Sequence, residues 1–140
     1  MTDTDNEMVE KNYKELSRAF QDLLSWKWDS RFEVALAEFD VADKDNILSV
    51  LDRHLKSAWN SSNIDKAPPT VKKVNINLGK LRSGQMLFTS DAALPAYLYC
   101  AWWPWGNGKT ISIRIAPCYK RLPEPEKAEK IERFKSCFGI

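Results

Sequence analysis

His54 is the sole histidine of the 140-residue chain, so a multi-histidine metal site is excluded and imidazole acid–base chemistry would rest on that side chain alone. It follows Ile47 at seven residues' distance, beside the apolar stripe of a helical segment, where a packed boundary histidine is the plainer reading. Three cysteines, Cys100, Cys118 and Cys137, lack CxxC spacing and suit reduced thiols; Cys118, after Pro117, is the one candidate for thiol reactivity. Asp40, Asp43 and Asp45 lack the glycine and distal glutamate of a calcium loop. Gly106-Asn107-Gly108-Lys109-Thr110 copies the end of the phosphate-binding pattern GxxxxGK[ST]. However, Trp103 stands where the first glycine belongs, and the run after Thr110 has strand character rather than helix. These residues therefore assign no catalytic role, no metal and no cofactor, and an enzyme is not the expectation.

The residues that do concentrate are aromatic and cationic. Asn107-Gly108 is the preferred pair for a two-residue type I′ turn, which needs positive φ at both positions, and the flanking runs predict a β-hairpin over residues 97–116. Pairing outward from the turn sets Trp102 opposite Ile113, Cys100 opposite Ile115 and Pro104 opposite Ile111, an apolar face that includes Leu98. The other face pairs Trp103 with Ser112, Trp105 with Thr110 and Ala101 with Arg114, and carries Tyr97 and Tyr99. Rings of this size bury a large apolar area, so something should cover them, either a helix of the same chain or a partner. The candidate binding residues are Tyr99, Trp103, Trp105 and Arg114, with Lys72 and Lys73 nearby in the sequence's basic stretch.

The elements that must position this ribbon follow from periodicity. Thr4-Asp5-Asn6-Glu7 has capping-box spacing, and Val9, Tyr13, Leu16, Phe20, Leu23 and Leu24 mark one face of a helix reaching about Trp26. Glu7/Lys11, Glu10/Lys14 and Lys11/Glu15 are expected to pair on its outer side. Residues 31–39 fit strand or helix, and capping-box spacing at Ser30 to Glu33 favours helix. Ile47, Val50, Leu51, Leu55, Ala58 and Trp59 predict a further helix ending near Asn60. Val74, Ile76 and Leu78 alternate with polar residues and predict a half-exposed strand; residues 85–89 predict its return. Pro123 and Pro125 introduce a closing helix with Ile131, Phe134 and Phe138 inward.

The expected fold is a single α+β domain over residues 1–140, with N-terminal helices packed on a four-stranded antiparallel meander sheet and a C-terminal helix. This element order resembles the nuclear-transport-factor-like and cystatin-like folds. The start of the sequence is polar and acidic, and no run has the length and apolarity of a membrane span, so a cytoplasmic protein away from membranes is expected.

Charge is uneven along the chain. Residues 1–65 carry a net charge of −6 and residues 66–123 a net charge of +8. The expected function is therefore that of a non-enzymatic binding or adaptor protein whose aromatic, basic sheet face meets an acidic protein partner. Single-stranded nucleic acid fits less well, because the isoelectric point of about 8.4 lies below the value expected of a dedicated nucleic-acid-binding domain. An alternative is a small-ligand or enzymatic pocket between helices and a curved sheet, lined by Trp59, His54, Phe88 and Tyr97. A third account has the acidic helices complementing the basic sheet within one molecule or across a homodimer.

Overall fold

The computed structural model describes residues 3–140, with side chains from Asn6 onward; the capping contacts expected of Thr4 lie outside these. Four helices, α1 (Asp3–Ala19), α2 (Lys44–His54), α3 (Pro69–Asn77) and α4 (Glu124–Cys137), accompany six strands. The strands are β1 (Lys27–Asp29), β2 (Val34–Asp40), β3 (Ser57–Trp59), β4 (Met86–Thr89), β5 (Ala96–Pro104) and β6 (Thr110–Tyr119). They form one antiparallel sheet in the order β1-β2-β6-β5-β4-β3. The α+β class is thus correct and the count of four strands is not.

The differences have identifiable causes. Residues 69–77 are helical, not the expected strand, because Pro69 starts the first turn without losing a needed N–H and Val71, Val74 and Leu78 then share one buried face. Alternation at Val74, Ile76 and Leu78 was compatible with both periods, and Ile76 points outward at 59% exposure. Residues 34–40 are a strand whose first four residues are all buried, so polar alternation appears only at its end, where Glu38 and Asp40 are exposed. The apparent cap at Ser30 to Glu33 is instead the β1–β2 turn, with Glu33 at φ 56° and Asp29 Oδ1 accepting from the N–H groups of Arg31 and Phe32. α2 stops at His54, and the residues that would have continued it to Asn60 form β3, paired on β4. α1 ends at Ala19, and a turn carries Leu24 back onto the core. Glu10 does not pair with Lys14; it reaches Arg133 at 2.9 Å and Lys130 at 3.5 Å on α4.

The β5–β6 ribbon keeps the expected register: Trp102 lies opposite Ile113, Cys100 opposite Ile115 and Pro104 opposite Ile111. Its turn is not type I′, since Asn107 does not take a positive φ and Gly108 alone does, at 70°. A wider loop closes through Trp105 N–H to Thr110 O (2.8 Å) and Gly108 N–H to Trp105 O (3.2 Å). Asn107 Oδ1 accepts from the N–H groups of Lys109 and Thr110, a side-chain turn that replaces the left-handed conformation otherwise demanded of it.

Apolar side chains fill both sides of the sheet. On one side, Val9, Tyr13 and Leu16 of α1, Ile47 and Leu51 of α2, and Phe134 and Phe138 of α4 pack on Leu98, Cys100, Ile113 and Ile115. On the other, Val71, Val74 and Leu78 of α3 pack on Leu87, Tyr97 and Ala101.

Candidate functional site

Alternation along β5 sends Tyr97, Tyr99, Ala101 and Trp103 to the α3 side of the sheet, as expected of the hairpin's second face. What covers them differs from one to the next. Tyr97 is 1% exposed beneath α3, with the Lys120 ammonium 5.6 Å from its ring centroid and bonded to the Ala92 carbonyl. Tyr99 is half-buried, and its phenol pKa is raised, first by burial and then by the neighbouring Cys118 and Glu33.

Trp103 is half-buried at the edge of the α3 cluster and is covered by side chains. The Phe32 ring meets it edge-on at 5.7 Å, and the Arg114 guanidinium carbon sits 4.1 Å from its ring centroid. Arg114 is in turn held by Asp29, Nε to Oδ2 at 3.3 Å, and by Ser112, Nη1 to Oγ at 2.9 Å. Its side chain is only 15% exposed and Asp29 is similarly enclosed, so the pair exerts its attraction in a partly desolvated setting. One carboxylate therefore does two things: Oδ1 shapes the β1–β2 turn that brings Phe32 into place, and Oδ2 fixes the cation stacked on Trp103. This cluster spends its charge internally.

The remaining candidates are open. Trp105 is 45% exposed at the hairpin tip. Lys72 and Lys73 are exposed on the outer side of α3, and Lys66, Lys80 and Arg82, just before and after that helix, are exposed as well. None of these five cations joins an ion pair among the described residues. The antiparallel register of β4 on β5, with Met86 opposite Trp102, puts the start of β4, and the turn before it that carries Lys80 and Arg82, at the end of the sheet where β5 runs into the hairpin tip. Exposed Ile76 sits among the α3 lysines. Lys66, Lys80, Arg82 and Ile76 escaped selection from sequence because their common surface exists only once residues 69–77 are helical.

The other groups with chemical potential lie apart. His54 lines a groove with Met8 and Asn12 of α1 and with Ser90 and Asp91. Phe88 and Tyr97 are on opposite sides of the sheet, and the Trp59 indole donates to Thr89 Oγ1 at 3.1 Å, so the pocket expected from His54, Trp59, Phe88 and Tyr97 is not assembled. Burial raises the thiol pKa of Cys118, outweighing the Tyr97 hydroxyl and nearby lysines that lower it. Among the described residues, no three His, Cys, Asp or Glu side chains converge as a metal site, and no helix is long and apolar enough to cross a membrane. Comparison with family models, with curated proteins and with solved structures finds no match, so the likeness of element order carries no family assignment.

Proposed function

We propose that the protein is a non-enzymatic binding or adaptor protein that docks an acidic protein partner on the surface running from Lys72 and Lys73 of α3, past Lys80 and Arg82, to Trp105 at the hairpin tip. The observation that carries this reading is the set of five exposed cations between residues 66 and 82 that make no ion pair among the described residues. Cations left unmatched on one side raise the rate of encounter with an acidic surface and disfavour basic ones. Ile76 and Trp105 supply apolar area within and at the end of this basic tract. Tyr99, Trp103 and Arg114 serve the same surface from beneath, with Arg114 as a positioning residue for Trp103.

Fluorescence anisotropy with a labelled peptide of alternating Glu and Leu tests this. Binding should weaken as salt rises, and Lys72→Glu with Lys73→Glu should reduce affinity at least about tenfold, while Trp105→Ala costs less. An oligothymidylate of equal charge serves as the competing ligand. Failure of the peptide to bind at low salt, equal binding by the double variant, or clear preference for the oligonucleotide would each refute an acidic protein partner.

A further inference from the structure

The turn between α3 and β4 is fastened to the helix more firmly than a plain connection requires. Three consecutive backbone N–H groups return to the last turns of α3: Gly79 to the Ile76 carbonyl at 3.0 Å, Lys80 to the Asn75 carbonyl at 2.8 Å, and Leu81 to Asn75 Oδ1 at 2.8 Å. The first two bonds are the pair that ends many helices on a left-handed glycine, here Gly79 at φ 97°. The third comes from a side chain and extends the hold by one residue. Farther on, the Arg82 N–H donates to Gln85 Oε1 at 2.8 Å, and the Gln85 N–H donates to the Arg82 carbonyl at 3.0 Å. Between these two fastenings the partly buried Leu81 packs against the α3 cluster.

Two exposed cations flank that anchor. Lys80 holds a left-handed φ of 67°, where glycine would be unstrained and a residue with a side chain is not. Neither Lys80 nor Arg82 joins an ion pair among the described residues. A strained backbone persists only where its surroundings over-determine it, and the bonds to Asn75 do so here. The turn is therefore an extension of α3, and the backbone of Lys80 and Arg82 keeps a fixed position relative to Lys72 and Lys73 on that helix.

We propose that Asn75 is a positioning residue for recognition: by fixing the turn on α3 it presents Lys80 and Arg82, together with Lys72 and Lys73, as one preorganised array for the carboxylates of an acidic protein. The inference rests on the docking surface proposed above and adds that its affinity comes from placement as well as from charge. Groups already held in place lose less freedom on binding, so their benefit is read in slower dissociation, whereas net charge governs encounter.

Asn75→Ala tests this because it changes no charge. Stopped-flow binding of the labelled Glu and Leu peptide should show dissociation at least about fivefold faster, with the association rate and its salt dependence preserved. Lys72→Glu with Lys73→Glu should slow association instead. In a chain already carrying Lys80→Ala and Arg82→Ala, Asn75→Ala should add nothing further, an outcome that general damage to the fold would not give. Hydrogen exchange reads the fastening without any ligand: the Leu81 amide should be protected in the native chain and exchange at least about tenfold faster in Asn75→Ala, with circular dichroism preserved. Gln85→Ala releases the other end of the turn and decides the matter if Asn75→Ala misfolds. The inference is overturned by an unprotected Leu81 amide in the native chain, by dissociation indifferent to both variants, or by an equal loss with and without the two cations. A peptide that fails to bind at all removes the docking surface and this inference together; binding that ignores Asn75 and Gln85 removes the inference alone.

Discussion

The two sides of the sheet are closed by different means. Three helices lie over one side, and the side chains between are almost entirely apolar: Tyr13 meets Phe134 edge-on at 5.1 Å, and Phe134 meets Phe138 at 4.7 Å. The other side has the nine-residue α3 over β4 and β5, while over β6 the lid is made of Phe32, Trp103 and Arg114. Helices bring their own satisfied backbone to a core. A lid of side chains containing a guanidinium must bring a counter-charge, and Asp29 is that counter-charge. The comparison explains why the charged aromatic cluster of Trp103 and Arg114 lies on the second side, whereas Trp105 at the tip borders Val41, Leu48 and Trp102 on the first.

The largest expected effect tests both sides together. Burial raises the phenol pKa of Tyr13 on the first side and of Tyr97 and Tyr99 on the second, from an ordinary value of 10.0. A phenol that holds its proton more tightly when folded contributes stability that is complete below pH 10 and is lost as pH rises beyond it. Tyrosinate absorbance should therefore stay flat through pH 10 and rise together with the loss of far-UV dichroism; ionisation of a folded chain at its ordinary pKa would break this account. Next, Phe134→Ala should cost about 3–5 kcal/mol in urea denaturation, because it empties a fully buried aromatic site on the three-helix side. Arg114→Ala on the opposite side should cost about 1.5–3 kcal/mol and raise iodide quenching of Trp103. Equal costs for these two would erase the distinction between the lids.

Smaller effects sharpen the picture of the tip. Gly108→Ala meets no neighbouring atom but must adopt φ 70°, and should cost about 1–2 kcal/mol in thermal denaturation. Trp105→Phe should change stability by no more than about 0.5 kcal/mol while removing the most quencher-accessible of the hairpin tryptophans. A larger loss would mean that the exposed indole supports the fold.

The ribbon's register was legible because strand pairing propagates: Trp105 opposite Thr110 fixes every later rung, whichever loop joins them. That is why the pairing held although the turn type did not. The same rule gave the apolar side, Leu98, Cys100, Trp102, Ile111, Ile113 and Ile115, each of which is buried. Elsewhere local pattern was insufficient. Val74 and Leu78 suit both a helix and a strand, and the choice was made by the tertiary fact that the sheet's α3 side needed cover. Ala58 and Trp59 extend the periodicity of α2 in sequence, yet pairing with Phe88 and Leu87 on β4 claims them for a strand. Of the candidate site, the aromatic residues were recognisable by type, but the cover of Trp103 depended on Asp29 at the end of β1 and on Phe32, which belongs to a turn read as the start of a helix.

The placement of β2 beside β6 also has a kinetic consequence. The ribbon of β5 and β6 is local and can close as soon as its own residues exist, whereas residues 34–40 need a neighbour that arrives only with residues 110–119. Ordering so long an intervening chain carries an entropic cost before contacts offset it. During synthesis β2 has only its short local pairing with β1, and its other edge waits for most of the chain to follow. Pulse-labelled hydrogen exchange during refolding should protect the amides of β5 and β6 before those of β2; the reverse order would place the nucleus at the other end of the sheet.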